Sequence, residues 1–297
     1  MRALQQTEDG VAFEDGVLEL SDRRDLAWRW WGDEGGIPVL RIQGTPASRL
    51  SRNPDASVQR ELGVRYLMAD RPGYGGSTRK PGRGIADIAD DLVALLDSFG
   101  IDRIPAMGTS GGGPHVLALA ARHPDRVSAV TVVVGATRLV PEEVKQLVGI
   151  NARGYGLADQ GWQALHEYLV EVRERILSDE GSAGVLSDAH PSDLKILADP
   201  TYERLRHADV AEALKQGAEG WTDESMAIHR DWDFDPSAVR GHVTWWHGVG
   251  DKNAPLSAAR RVAAKMPDVD LHVWEGEGHF VSITHDREIV QELISRR

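Results

Sequence analysis

Residues 105–114 read Pro105-Ala106-Met107-Gly108-Thr109-Ser110-Gly111-Gly112-Gly113-Pro114, and Gly108, Ser110 and Gly112 within them form the pattern Gly-x-Ser-x-Gly. The pentapeptide alone is a weak signal, because glycine is abundant in this chain and such a pattern often marks an ordinary loop. Its flanks decide the reading. Residues 104–107 are a short apolar run of strand character, and 116–121 are residues suited to a buried helix. Pro114 fits the first helical turn, where its missing N–H costs no hydrogen bond. His123-Pro124 closes the helix, since the residue before a proline is pushed out of the α region. A serine at the tip of so tight a strand-to-helix turn is expected in a strained backbone conformation. Glycines two residues to either side remove Cβ atoms that would collide there. The hydroxyl then stands exposed at the positive end of a helix, and the Gly111 amide faces any oxyanion that develops beside it.

Strand and helix alternate on both sides of this turn. Residues 17–20 and 26–31 read as two strands around a turn at 21–25, an antiparallel hairpin at a sheet edge. Alternation puts Trp28 and Trp30 on one face, with Arg29 and Trp31 on the other. Residues 1–16 are polar and expected to be loosely held. Residues 37–42 form a continuous apolar strand ending in Gln43-Gly44-Thr45-Pro46, and 64–69 form another, ending in Asp70-Arg71-Pro72-Gly73-Tyr74-Gly75-Gly76-Ser77. A helix over 85–99 follows, stopped by Gly100. Its Asp87, Asp90 and Asp91 read as a solvated face; an ion site would bring more oxygen ligands and a tight loop. With a strand at 127–134, the alternation predicts a parallel sheet covered on both faces. From 138 to 236 the rhythm stops. Helices at 141–148, 164–177 and 202–216 and the absence of any good strand predict a helical cap inserted between two strands, leaving 17–137 and 237–297 as the core. Strands return at 242–247 and 269–274, around a helix at 257–266, and a helix at 286–297 closes the chain.

The 297 residues allow one large α/β domain with a substantial insertion. No cysteine is present, which excludes disulfides, thiolate metal sites and cysteine nucleophiles. A formal net charge of −12 argues against nucleic acid or an anionic membrane as partner. The N-terminus lacks an apolar signal core, and the longest greasy run, 129–136, is too short to span a bilayer. The expectation is a soluble cytoplasmic enzyme acting on a small molecule.

A serine hydroxyl is a poor nucleophile unless a base lies within hydrogen-bond reach and a third group orients that base. Eleven histidines are available, so position has to discriminate. His123 closes the helix away from the turn, His115 lies inside that helix, His285 falls near the last helix, and His242, His247 and His272 lie in strands or at their ends. His279 alone falls in a loop just past the C-terminal end of the last strand, between Gly278 and Phe280. Ligands gather at that edge of parallel α/β sheets, and Ser110 lies there too. The orienting acid belongs at the same edge. Asp251 stands just after the strand ending at His247; on its own, an aspartate in Gly-Asp-Lys-Asn is usually a turn residue. An oxyanion hole needs two donors, and Thr45 N–H, in the Gly44 turn, is the candidate partner for Gly111 N–H.

Taken together, Gln43-Gly-Thr-Pro46, Asp70-Arg-Pro-Gly-Tyr-Gly-Gly-Ser77, Gly108-Thr-Ser-Gly-Gly-Gly-Pro-His115, His247-Gly-x-x-Asp251 and Gly278-His279 resemble the α/β-hydrolase superfamily, specifically its cap-bearing serine hydrolases. The chain order Ser110, Asp251, His279 is that family's order of triad members. The resemblance implies an α/β-hydrolase fold: a mostly parallel central sheet of about eight strands flanked by helices. It implies no metal and no cofactor. A serine nucleophile sets the chain apart from aspartate-type haloalkane dehalogenases and epoxide hydrolases. Many relatives carry His where this chain has Gln43. The implied chemistry is hydrolysis of a carboxylic ester or lactone of a small to medium apolar substrate. Gln43, Gly44, Trp221 and Trp232 are the expected pocket residues. The same triad acting on a C–C bond, amide, thioester or peroxide, or a non-hydrolytic cyclase or ligand-binding member of the fold, are the alternatives.

Overall fold

The computed structural model describes residues 4–178 and 188–297. Among the described residues nine strands form one sheet: β1 (Gln5–Gln6), β2 (Ala12–Glu19), β3 (Asp25–Trp31), β4 (Ile37–Ile42), β5 (Val64–Ala69), β6 (Ile104–Thr109), β7 (Val127–Val133), β8 (Val243–Gly248) and β9 (Val269–Trp274). Their spatial order is β1-β2-β3-β5-β4-β6-β7-β8-β9. The first four neighbours pair antiparallel, and every pair from β5 to β9 is parallel. Helices α1 (Ser57–Leu62), α2 (Asp87–Ser98) and α3 (Gly112–Arg122) fall between the early strands. Between β7 and β8 come α4 (Pro141–Val144), α5 (Gly149–Ala158), α6 (Trp162–Ile176), α7 (Pro191–Leu197), α8 (Pro200–Ala213) and α9 (Glu219–His229). The C-terminal part adds α10 (Leu256–Ala263), α11 (Val281–Thr284) and α12 (Asp286–Ser295). Among the described residues no helix is long and apolar enough to cross a membrane.

The period-2 pattern of the strands sorts the core into two layers. Leu40, Ile42, Trp28 and Trp30 pack on one face with Leu92 and Leu96 of α2 and Leu117 of α3. Val39, Met107 and Trp31 pack on the other with Ile289 and Leu293 of α12. Each large apolar side chain sealed in these layers contributes about 1.5–3 kcal/mol. A third cluster lies inside the insertion, where Leu165, Tyr168, Leu169 and Val172 of α6 meet Val210 of α8 and Trp221 of α9.

The mostly parallel sheet is as expected, with nine strands among the described residues, β1 being only two residues long. One expectation is corrected. The segment 1–16 is not loose throughout: β2 begins at Ala12, although Met1 to Ala3 lie outside the described residues. Polar composition misled there because the charges of an edge strand are answered across the sheet, with Asp15 paired to Arg29 and Glu14 to Arg65. The acidic face of α2 is also paired, Asp91 with Arg24 and Asp90 with Arg122 and His123.

Candidate active site

Ser110 sits at the C-terminal end of β6 with φ +52°, in the left-handed region that a non-glycine residue rarely adopts. The turn is as crowded as its glycines imply. A Cβ on Gly108 would come 2.3 Å from the Gly112 carbonyl, and one on Gly112 would come 2.2 Å from the Ile42 carbonyl. Ser110 N–H donates to the Val133 carbonyl at 2.8 Å, and the Ser110 carbonyl accepts from Gly113 and Ala136. These bonds hold the strained residue in place.

His279 Nε2 lies 2.9 Å from Ser110 Oγ, and its Nδ1 lies 2.8 Å from Asp251 Oδ2. Asp251 is both a turn residue and a partner of the histidine, with one oxygen for each role. Its Oδ1 accepts from the amides of Asn253 and Ala254 at 2.8 and 2.9 Å, which leaves Oδ2 for the imidazole. Burial opposes the charge on Asp251, but His279 outweighs it and holds the carboxyl below its usual range. Burial likewise pulls His279 down, yet the Asp251 charge and hydrogen bond prevail and raise it. His247, expected in a strand, lies near the end of β8 with Nε2 donating to the Ala254 carbonyl at 2.8 Å and so braces the Asp251 turn. Trp245 Nε1–H donates to its Nδ1 at 3.3 Å, which fixes a neutral tautomer in keeping with the downward pull of burial.

The β4 turn approaches the serine closely. A Cβ on Gly44 would be 3.4 Å from Ser110 Cβ, and one on Gly111 would be 3.4 Å from Thr45 N. Among the described residues neither the Thr45 nor the Gly111 amide donates to a protein acceptor. Gln43 is buried beneath this turn, its Nε2 donating to the Ala69 carbonyl at 2.8 Å. It ties the end of β4 to β5, while its Oε1 is buried with no partner among the described residues.

Two carboxylates from the insertion hold the loops that carry these groups, and sequence reasoning missed both. The first is Glu224 of α9, which is fully sealed from solvent. Its Oε1 meets Arg71 Nε at 2.5 Å, Arg83 Nη2 at 3.1 Å and His115 Nε2 at 2.9 Å. Its Oε2 accepts from the Thr45 hydroxyl at 2.6 Å, Arg71 Nη2 at 2.9 Å and the Tyr74 hydroxyl at 2.8 Å. Arg71 also donates to the carbonyls of Gln43 and Gly44 at 2.6 and 2.7 Å. Burial opposes ionisation of Glu224, but Arg71, Arg83 and His115 hold it well below the usual carboxylate range. The second is Asp193 of α7, which accepts the His279 and Phe280 amides at 2.9 and 3.0 Å. A Cβ on Gly278 would come 2.3 Å from its Oδ2. The segment 70–77 was visible as a motif, but its partner Glu224 carried no local signal.

A cavity of about 300 Å³ opens beside Ser110 and His279, with Gln43, Gly44, Thr45 and Trp221 in its wall. Leu139, Leu147, Ile150, Leu165 and Ile228 make much of the remainder apolar. Trp232 is a correction: it lies outside this wall. Its ring stacks on Phe234 at 5.3 Å, against Ile85 and Ala118 of the core. It follows the end of α9, so the chain carries it down the flank of the sheet and away from the cavity. Trp162 also serves packing, stacking on His166 and donating to Asp223 at 2.7 Å. Among the described residues no group of three or more His, Cys, Asp or Glu is arranged to hold a metal ion.

A family model described as alpha/beta hydrolase fold matches residues 37–286. The chain is 26% identical over 229 residues to the putative carbamate hydrolase RutD of Caulobacter sp. (strain K31), covering 74% of this chain and 75% of that protein. It is 25% identical over 264 residues to the 2-hydroxy-6-oxo-2,4-heptadienoate hydrolase of Pseudomonas putida, covering 86% and 87%. Among solved structures, the bromoperoxidase from Bacillus anthracis superposes with a TM-score of 0.72 at 20% identity, over 95% of this chain and 100% of that one. That last likeness is one of fold.

Proposed function

The chain belongs to the alpha/beta hydrolase fold family, and from that premise we propose that it hydrolyses a carboxylic ester or lactone of a small to medium apolar substrate through an acyl-enzyme on Ser110. The observation that carries this reading is the unbroken contact from Ser110 Oγ through the His279 imidazole to Asp251, at 2.9 and 2.8 Å, at the mouth of a mostly apolar cavity. Ser110 Oγ attacks the carbonyl carbon while its proton passes to His279 Nε2. The carbonyl oxygen takes the negative charge between the Thr45 and Gly111 amides. The C–O bond to the alcohol then breaks, and the imidazolium returns the proton to that oxygen. Water, deprotonated by the same nitrogen, attacks the acyl-enzyme and releases the acid. Asp251 favours the cationic imidazole throughout. The insertion serves as a cap over the cavity, and its apolar wall selects the substrate.

Ser110→Ala tests the reading. Turnover of nitrophenyl esters of graded chain length should fall on the order of a millionfold. Labelling by a fluorophosphonate should be lost with it. Near-wild-type turnover in that variant sinks the assignment. The relatives named for carbamate and for 2-hydroxy-6-oxo-2,4-heptadienoate give a reason to include those two compound classes in the same panel.

A further inference from the structure

Three arginines line the cavity beside Ser110: Arg41, Arg52 and Arg206. The one acid among its described lining residues is Asp209. That carboxylate is already engaged, its Oδ1 accepting the Ser48 amide at 2.7 Å and the Ser48 hydroxyl at 2.6 Å, and burial pushes it up to about 7. A chain of net charge −12 therefore places three arginines in an otherwise mostly apolar wall of its own site.

Arg41 is the most deeply buried of the three. It is 6% exposed, yet among the described residues its guanidinium makes no hydrogen bond and no ion pair within 4 Å. It lies over the Tyr66 ring at 5.4 Å. The acid that feels its charge, Asp286, stands beyond ion-pair range, and burial raises that carboxyl. Arg52 is held on one side only: Nη2 donates to Asp9 at 2.6 Å, while Nη1 is buried with no partner. Arg52 lies over Trp31, at 5.5 Å. Trp31 and Tyr66 are register partners across β3 and β5, so the two guanidinium groups stand over adjacent rings on one face of the sheet. A buried cation is normally paired, and a guanidinium fork matches a carboxylate with two parallel N–H donors.

We propose that Arg41 and Arg52 form a subsite for a carboxylate carried by the substrate, remote from the carbonyl that Ser110 attacks. Arg41 pairs in register with Met107, three residues short of Ser110. That is about 10 Å of strand. The arginine side chain spans part of it and leaves room for a chain of a few carbons. The substrate class is then the half-ester, or the equivalent lactone acid, of a short dicarboxylic acid. The placement of the carboxylate relative to the scissile bond rests on the hydrolase reading above; the anion subsite itself does not.

The probes are the nitrophenyl half-ester of adipic acid, its methyl-capped neutral diester, and free adipate. The half-ester should show a kcat/KM at least tenfold above that of the diester at low salt. Arg41→Met and Arg52→Met should each reduce that ratio to about one or below. Adipate should raise the Tm of the wild-type protein and not that of Arg41→Met. A wild-type ratio at or below one, a ratio unchanged in both variants, or stabilisation by inorganic phosphate exceeding that by adipate overturns the subsite. If neither ester is turned over while adipate still stabilises only the wild type, the subsite stands and the ester-hydrolase reading falls. Since the adipate shift is read on the wild-type protein as well, a variant that fails to fold leaves the proposal exposed to refutation.

Discussion

A carboxylate with no exposed surface persists only where its charge is answered, and Glu224 is answered at both oxygens by Arg71, with Arg83, His115, Tyr74 and Thr45 completing the set. The consequence reaches the proposed chemistry, because Arg71 and the Thr45 hydroxyl hold the turn that carries the Thr45 amide. Glu224→Gln leaves two buried guanidinium groups short of a counter-charge, a change worth about 3–5 kcal/mol when one partner of a buried pair is removed. We expect a lower Tm and a kcat at least tenfold down, with KM little altered. Thr45→Val separates the two effects, since it deletes one contact to the carboxylate and leaves the charges balanced. A drop in kcat without a matching loss of Tm in that variant marks positioning; wild-type kcat there reduces the network to scaffolding. The pH profile follows from the Asp251–His279 pair. On the proposed mechanism His279 must be neutral to accept the serine proton, and Asp251 raises its pKa, so kcat/KM should fall on the acid side through a value above that of an isolated imidazole. Asp251→Asn removes the charge that raises it. The acid limb should then move to lower pH while the maximum falls by about a thousandfold or more. A limb that stays in place assigns the ionisation to another group.

At the scale of elements, the strands and the turn at Ser110 were legible because their signals are local: continuous apolar runs, glycines at fixed offsets, and a proline at each end of α3. The helices of the insertion were legible in part, α6 by its apolar stripe and α8 by its length. What could not be read was which of their charges are buried. Asp193 and Glu224 lie in short polar helices whose composition resembles a solvated face, and only contacts more than eighty residues away in the chain reveal otherwise. Trp232 misled for the complementary reason, since an aromatic in a cap-like segment reads as pocket wall when it is flank packing. Asp193 gives the test. With alanine there, the His279 and Phe280 amides lose their acceptor, and kcat should fall by about ten- to a hundredfold by analogy with misplaced catalytic groups. Wild-type kcat in Asp193→Ala means that the loop holds its shape unaided. Asp209 of α8 gives a second test, on stability. Its folded pKa of about 7 lies above the 3.8 of an unperturbed aspartate, so the folded protein binds the extra proton between those limits. Stability from this group is therefore highest below the unfolded pKa and declines as pH rises toward about 7. Asp209→Asn should flatten that slope in urea titrations run across the interval; an unchanged slope assigns it to other groups.

For the molecule as a whole, the question is whether core and insertion are one folding unit or two. The insertion has its own apolar cluster around α6, α8 and α9, which taken alone would allow separate melting. Against this stand three buried polar attachments at different points of the seam: Glu224 to Arg71, Asp209 to Ser48, and Asp193 to the His279 loop. Lifting the insertion away would expose Arg71 and Arg83 without their anion and strand the Ser48 and His279 amides. It would also uncover Tyr74, which belongs to the core sequence but packs in the insertion's cluster. Each of these penalties is comparable to a sizeable share of a domain's net stability of about 5–15 kcal/mol. Partial unfolding is thus disfavoured relative to complete unfolding, and the two parts should melt together. Urea transitions followed by tryptophan fluorescence and by far-UV circular dichroism should coincide, and the calorimetric and van't Hoff enthalpies should agree. An early fluorescence transition in the wild-type protein, with most of the secondary structure retained, would show that the seam is weaker than its contacts imply. In Glu224→Gln the same experiment has the opposite expectation: with the central attachment unbalanced, the insertion should detach first and the two signals should separate.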